Sequence, residues 1–434
     1  MEREIKSGLK WSIVASSFNS IFCVLTVFGS IFLLFLTELG IPKHKIGILL
    51  SFLPFFGVVA PFLSDYVEYF GSKKTFLICF GIRKFVILSL VLLPLIIDRF
   101  GKTAGINFII FNISLFAFLR AFGETGYYAW AKEFIPDNLR GKYVAIQNII
   151  TNIAGIFAIS FGSYVIGKRE GIEKYLFLIE IAFIFGILSV YFMSFVPFGE
   201  PKRQKPSFNF KKVLRPLMDK NFLYFLSALG ISLFGCSLMS FVPIFVREKL
   251  GFSSELVVFL DNATILGSIL IVSIWGIIGD RFGGRPVIVL SLFFYSIVVF
   301  LWLTLKRDMP SIINFIFLLY FLSGATLPGR TVGDYRFLYA SILKNVDVIY
   351  YTSIFYAWIG IFQGISPIFA GYLLEKFKNF YFLGRDFDIY SIIFLINLIC
   401  QILAIIIYRK VKPDKDVKTR TLLLKLTNTF LIEK

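Results

Sequence analysis

Two short stretches of the sequence pair an arginine with a carboxylate four residues on: RAFGE, Arg120 to Glu124, and RTVGD, Arg330 to Asp334. At that spacing the two side chains share one face of a helix and can meet. Both stretches lie in apolar sequence, where a charge at the centre of a bilayer costs about 2.5–3.5 kcal/mol and so turns toward a partner or a water-filled cavity. Each arginine falls about 11 residues from the polar end of its segment, or about 16 Å at 1.5 Å per residue. A carboxylate there can take up and release a proton, its affinity set by competition between burial and the adjacent arginine. Such a pair could hold a polar solute, couple its movement to a proton, or act as an ion pair tying its helix to a neighbour.

Other polar side chains sit in apolar sequence and are candidates for the same cavity. Asn19, Tyr127, Asp261 and Gln363 lead, with Gln147, Asn148, Asn152 and Asn262 as further donors and acceptors. For each alone, an interhelical hydrogen bond is the simpler role. Tyr128, Trp130, Tyr356 and Trp358 could stack on a ring, although aromatic residues make up 18% of the chain and their presence alone means little. Arg83 and Lys84 are expected to snorkel, their long stems carrying the charge to the headgroups. His44 is the only histidine, and Cys23, Cys79, Cys236 and Cys400 all lie in apolar blocks. Neither a metal site, a cofactor nor a disulfide framework is expected from them.

The elements that must position these groups are long apolar helices. The chain has 434 residues, 57% hydrophobic, with a mean hydropathy of +0.79, where soluble domains average about 45–50% apolar. Its apolar residues lie in blocks of about 20 or more, the length that crosses a bilayer core of about 30 Å. Blocks fall at 11–37, 45–64, 75–97, 105–131, 142–166, 175–197, 221–246, 254–279, 286–305, 311–341, 348–373 and 388–408. The expected fold is an all-α membrane protein of twelve spans. Pro54, Pro61, Pro243, Pro328 and Pro367 inside the blocks are tolerated where neighbouring helices re-satisfy the backbone. The charged N-terminus leads into a block too long for a signal-peptide core and is read as a retained span.

The basic stretch 198–220 is the longest polar interruption, and it divides the chain into bundles of six helices at 1–197 and 221–408. A tail at 409–434 ends in a segment that could lie as an amphipathic helix on the membrane surface. With both termini on one side, that side carries roughly 26 lysines and arginines against roughly 14 opposite, which makes it cytoplasmic. Loop charge facing anionic lipid also accounts for the net charge of +18. No basic domain with interleaved aromatics suggests nucleic acid.

A loop motif recurs in the two halves. PFLSDYVEYFGSKK (Pro61 to Lys74) joins spans 2 and 3, and GIIGDRFGGRP (Gly276 to Pro286) joins spans 8 and 9. In each, an aspartate ends a helix, a glycine allows a tight turn and basic residues follow. The motif resembles the major facilitator superfamily signature G-x-x-x-D-[RK]-x-G-x-[RK]-[RK]. The second copy fits through Gly276, Asp280, Arg281, Gly283 and Arg285, with Pro286 for the last basic residue. The first has Pro61 for the glycine, Tyr66 for the basic residue after Asp65 and three extra residues before Gly71, but keeps Lys73 and Lys74. In EFIPDNLRGKY, Glu133 and Arg140 are spaced like the E-x6-R pair at the end of span 4 in sugar-porter-like members. Span 5 lacks the glycine-proline motif of drug antiporters.

The resemblance implies two pseudo-symmetric six-helix bundles, with spans 1, 4, 7 and 10 around a central cavity. It also implies a cytoplasmic gate of Asp65, Lys73, Lys74, Glu133, Arg140, Asp280, Arg281 and Arg285. The expected function is secondary active transport in the inner or plasma membrane: a monomer moving a small solute by alternating access, coupled to a proton or sodium ion. Its other partner is membrane lipid. No G-x-x-x-x-G-K-[ST] loop suggests ATP-driven transport. The rivals are a transporter-like solute sensor and an intramembrane lipid-modifying enzyme; for the enzyme, no paired metal ligands, H-E-x-x-H helix or serine–histidine pair is found. Cavity arginines lean toward an anionic or polyhydroxylated solute.

Overall fold

A computed structural model describes residues 2–136, 139–201, 214–338, 348–377, 381–382 and 387–412. The first half runs through α1 (Glu2–Thr26), α2 (Ser30–Glu38), α3 (Lys43–Phe55), α4 (Ala60–Phe70), α5 (Ser72–Leu88), α6 (Leu93–Phe134), α7 (Arg140–Lys168) and α8 (Glu173–Ser194). The second runs through α9 (Lys220–Leu238), α10 (Val242–Glu248), α11 (Ser254–Phe282), α12 (Gly284–Leu303), α13 (Ile312–Phe337), α14 (Val348–Lys376) and α15 (Ile389–Tyr408). A two-residue antiparallel ladder, Tyr381–Phe382 with Phe387–Asp388, precedes α15.

Ten helical runs among the described residues are long and apolar enough to cross a membrane. One of them, Ser72–Phe134, is 63 residues long and contains two helical directions, because Gly101 breaks α6 at φ 84°. The run Lys43–Phe70 is helical as well, interrupted by a 3-10 turn at Phe56–Val59. Dividing the long run at Gly101 and adding Lys43–Phe70 accommodates the twelve spans expected from sequence.

The breaks follow the local chemistry. Span 1, expected as one helix, is interrupted between Thr26 and Ser30, where Gly29 takes φ 78°. Span 7 is interrupted likewise by a 3-10 turn at Met239–Phe241, after which Pro243 sits in the first turn of α10. Proline is tolerated there, since its missing N–H has no partner in that turn anyway. Pro54, Pro328 and Pro367 do lie inside helices. The two signature loops are alike: Gly71 before α5 and Gly283 before α12 both hold φ 94°, a conformation that a side chain disfavours.

The chain forms two compact units. One comprises Met1–Phe208 together with Phe241–Asn262 and Pro367–Glu375; the other comprises Asn209–Ser240, Ala263–Ser366 and Lys376–Lys434. In the first, α1 packs on α7 and α8, and α5 on α6 and α8. Its aromatic core joins Phe76, Phe80, Trp130, Phe134 and Tyr143. In the second, α9 packs on α15, and α12 on α13 and α15, around Phe222, Phe225, Leu229, Ile288 and Phe337. Between apolar helices in lipid the hydrophobic driving force is small, so close packing and hydrogen bonds carry the association. Accordingly a Cβ added at Gly267 or Gly324 would collide with the backbone of Phe321 or Thr264, where α11 and α13 touch. Large apolar side chains face outward instead, Phe157 at 70% and Leu270 at 61% exposure among them. This is a multi-pass membrane protein. Residues 202–213 of the basic stretch and the tail beyond 412 lie outside the described residues.

Candidate functional site

In the first unit, α1, α5, α6, α7 and α8 enclose a cleft of about 320 Å³. Asn19, Glu124, Tyr127, Gln147 and Asn148 line it with Phe76 and Phe80. All five of these polar residues come from the sequence's own candidate sets, from three separate stretches of the chain, and the bundle brings them together. Glu124 accepts from Arg120 Nε at 2.7 Å, the i,i+4 contact expected from RAFGE. Glu124 lines the cleft, the side-chain exposures are 27% for Arg120 and 35% for Glu124, and the guanidinium lies 5.1 Å from the Phe28 ring centroid. Gln147 Nε2 donates to Ser16 Oγ at 2.6 Å and, more distantly, toward Tyr127 OH at 3.5 Å. Tyr127 packs on Phe76. The cleft therefore offers a carboxylate, a phenol, carboxamides and ring faces, enough to orient a polar solute.

The corresponding arginine of the second unit is placed differently. Arg330 Nε lies 3.8 Å from Asp334 Oδ2, with side-chain exposures of only 10% and 5%. Tyr408 OH donates to Asp334 Oδ1 at 2.8 Å, and Arg330 Nη1 reaches Ser232 Oγ at 3.4 Å. From Ser232 the network continues to Gln401 Oε1 at 2.8 Å, and Gln401 Nε2 donates to Asn397 Oδ1 at 2.7 Å. Sequence reasoning passed over Ser232, Asn397, Gln401 and Tyr408. Their signal was available, since Asn397 and Gln401 are polar residues at i and i+4 in the apolar last span. Gln363 is half-buried on α14 and belongs to the second unit, apart from the cleft.

Three sequence readings change on inspection. Arg83 and Lys84 do not snorkel: they are 1% and 0% exposed, because α5 turns them toward α1 and α8 rather than toward lipid. Asp261 does not line the cleft. It caps α2, its carboxylate accepting from Ser30 N at 3.0 Å and Ser30 Oγ at 2.9 Å, which the unsatisfied amides of a helix start favour. Trp130 is fully buried in the aromatic core and donates to Pro197 O, so it offers no exposed ring. The side chain of Tyr128 lies outside the described residues.

Asp261 is one of several contacts in the first unit that join residues of the two sequence halves. Glu38 at the end of α2 receives Lys174 Nζ at 2.9 Å and Tyr175 OH at 3.0 Å, with Arg247 Nη2 at 3.7 Å. Lys43 pairs with Glu248 through its side chain, and its amide donates to Glu375 at 2.9 Å. Asn262 Nδ2 donates to Ser160 Oγ at 3.1 Å.

Of the residues assigned to a gate, Lys73 Nζ donates to Val196 O at 2.7 Å and Glu133 accepts from Gly199 N at 2.9 Å, so both hold the start of the basic stretch. Asp280 pairs with Arg336, and Arg285 donates to Arg409 O at 2.6 Å. Lys74 and Arg281 are exposed. The side chains of Asp65 and Arg140 lie outside the described residues. No group of histidine, cysteine and carboxylate side chains that could hold a metal occurs among the described residues.

Comparison with known proteins gives the fold a family. A sequence model of the Major Facilitator Superfamily matches residues 14–260 and 221–428. Comparison with curated protein sequences gives no match. Among solved structures, a bacterial homologue of the iron transporter ferroportin in an inward-facing state superposes with a TM-score of 0.69 at 9% identity, covering 95% of this chain and 99% of that one. A bacterial homologue of the human lysosomal transporter Spinster, inward-facing and unoccupied, gives 0.67 at 12% identity, over 98% of each chain. The nucleoside transporter NupG gives 0.66 at 15% identity, over 93% of this chain and 98% of that one. At such identities the likeness is one of fold. Since the two sequence matches together span nearly the whole chain, it belongs to the major facilitator superfamily.

Proposed function

We propose that this protein is a secondary active transporter, not an enzyme, which carries a small solute through the cleft of the first unit by alternating access and couples it to a proton or sodium ion. The observation that carries the reading is the Arg120–Glu124 pair: a carboxylate at depth in an apolar bundle, opening onto a cleft lined by Asn19, Tyr127 and Gln147. A group that only braced helices would gain nothing from such exposure. Glu124 is the coupling group, and Arg120 holds its charge in place until solute or proton arrives. In this reading Asp280, Arg281, Arg285, Asp65, Lys73, Lys74, Glu133 and Arg140 form contacts at the cytoplasmic mouth that favour the outward-facing state. The protein lies in the inner or plasma membrane with both termini cytoplasmic, as the loop charge asymmetry suggests.

Vesicles containing the purified protein should accumulate a solute against its gradient when an inward proton or sodium gradient is imposed, and Glu124→Gln should retain exchange but lose accumulation. Accumulation that survives Glu124→Gln removes the coupling role. In intact cells, an impermeant thiol reagent should label a single cysteine at position 168 and not one at 205; the opposite pattern reverses the orientation.

A further inference from the structure

Arg83 and Lys84 stand behind the wall of the cleft, and the transport cycle outlined above gives them no task. Their polar contacts converge on one atom: Asn19 Oδ1 accepts from Arg83 Nη2 at 2.8 Å and from Lys84 Nζ at 2.7 Å. Aromatic faces supply the rest. The Arg83 guanidinium lies 3.4 Å from the Phe80 ring centroid, and Lys84 Nζ lies 3.6 Å from that of Phe22. Arg83 Nε is buried without a hydrogen-bond partner.

The charges of this region do not balance. The carboxylate near Arg83 is Glu124, and Arg120 already engages it. Among the described residues neither Arg83 nor Lys84 has a carboxylate within ion-pair distance. A carboxamide oxygen and the faces of Phe80, Phe116 and Phe22 offset only part of the cost of taking two full charges out of water. Retaining such charges in a membrane segment marks a functional role. Asn19 and Phe80, which touch both cations, also line the cleft.

We propose that Arg83, Lys84 and Asn19 form an anion-binding subsite and that the solute carried bears a carboxylate or phosphate group. The word "solute" rests on the transporter reading; the subsite itself does not. An arriving anion replaces Asn19 Oδ1 as the shared acceptor. The guanidinium, held over the Phe80 ring, offers its fork of donors, and Lys84 adds a point charge. A neutral solute would exchange one neutral acceptor for another and gain little. An anion gains charge-assisted bonds roughly twice as strong as neutral ones.

Thermal unfolding of the purified full chain tests this with inorganic phosphate, glycerol phosphate and succinate as anions, and glycerol and uridine as neutral probes. At least one anion should raise the midpoint of the wild type, by an amount growing with the logarithm of its concentration. Lys84→Arg should keep that response, while Lys84→Met and Arg83→Gln should weaken the apparent affinity at least about tenfold. Lys84→Met should also raise the midpoint of the ligand-free protein, since it removes a charge without a counterion. Any of four results overturns the proposal: an anion response unchanged in both variants, a response to neutral probes alone, a response only to phosphatidylglycerol added to the detergent, or a Lys84→Met protein that fails to fold. Vesicle flux separates the two readings. Anion binding without flux removes the transporter and leaves the subsite. Undiminished flux of a neutral solute in Lys84→Met removes the assignment of an anionic solute and leaves the transporter.

Discussion

The same five-residue motif serves two environments in this molecule. In the first unit Arg120 and Glu124 meet at 2.7 Å and stay partly exposed, and Glu124 lines a cleft. In the second, Arg330 and Asp334 stand 3.8 Å apart, nearly buried, with Tyr408 bonded to the carboxylate and Ser232 to Arg330 Nη1, while Arg330 Nε has no hydrogen-bond partner. A repeat in sequence is therefore not a repeat in task. An ion pair with spare exposure can exchange its partner for a solute or a proton. One locked into a relay of hydroxyls and carboxamides exchanges nothing without breaking several bonds at once. On this contrast Asp334, a coupling candidate from sequence, is better placed as a strut than Glu124 is.

The largest effect expected from the contrast is at the second pair. Arg330→Gln leaves Asp334 buried without its counter-charge and should cost about 3–5 kcal/mol of stability, much of it regained when Asp334→Leu is added. Chemical denaturation in detergent checks this; a loss below about 1 kcal/mol would make the second unit's pair as adaptable as the first. At the first pair the order of effects should reverse. Arg120→Gln should cost no more than about 1 kcal/mol, as for a pair still reached by solvent, yet lower solute flux at least about tenfold, which corresponds to about 1.4 kcal/mol. Equal losses of stability in Arg120→Gln and Arg330→Gln would erase the distinction. The smallest effect concerns the feature the two halves share. Gly71→Ala and Gly283→Ala should each cost about 1–3 kcal/mol for a side chain placed at positive φ with extended ψ, by similar amounts, and a marked inequality would show that the two loops carry different strain.

Much of the architecture follows from hydropathy, because bilayer thickness fixes the length of an apolar block. The spans and the glycine turns of the two signature loops are visible in the letters, whereas the compact units are not the expected 1–197 and 221–408, since the first takes in Phe241–Asn262 and Pro367–Glu375. The breaks in spans 1 and 7 are not, since apolar residues run straight through Val27 and Phe241 and only tertiary contacts reveal the interruption. Arg120 with Glu124 was recognisable from i,i+4 spacing. Arg83 and Lys84 were misjudged because hydropathy reports depth along a helix and says nothing of which way a side chain turns around it. Asp261 makes an interhelical hydrogen bond, the simpler of its expected roles, but the sequence does not show that span 1 restarts at Ser30 and so hides its partner. The relay of Ser232, Gln401 and Asn397 needed three distant segments to be seen together.

The capping of α2 by Asp261 has a consequence for how that end of the first unit could come apart. An interface of apolar side chains can separate into lipid with little change in its bonding. This one joins a carboxylate to the first amide and hydroxyl of a helix that begins inside the membrane. Drawing α11 away from α2 strands donors and acceptor alike where hydrocarbon provides nothing to receive them. Separation there is therefore inseparable from wetting: water molecules must enter as the contact lengthens, and leave again before it can re-form.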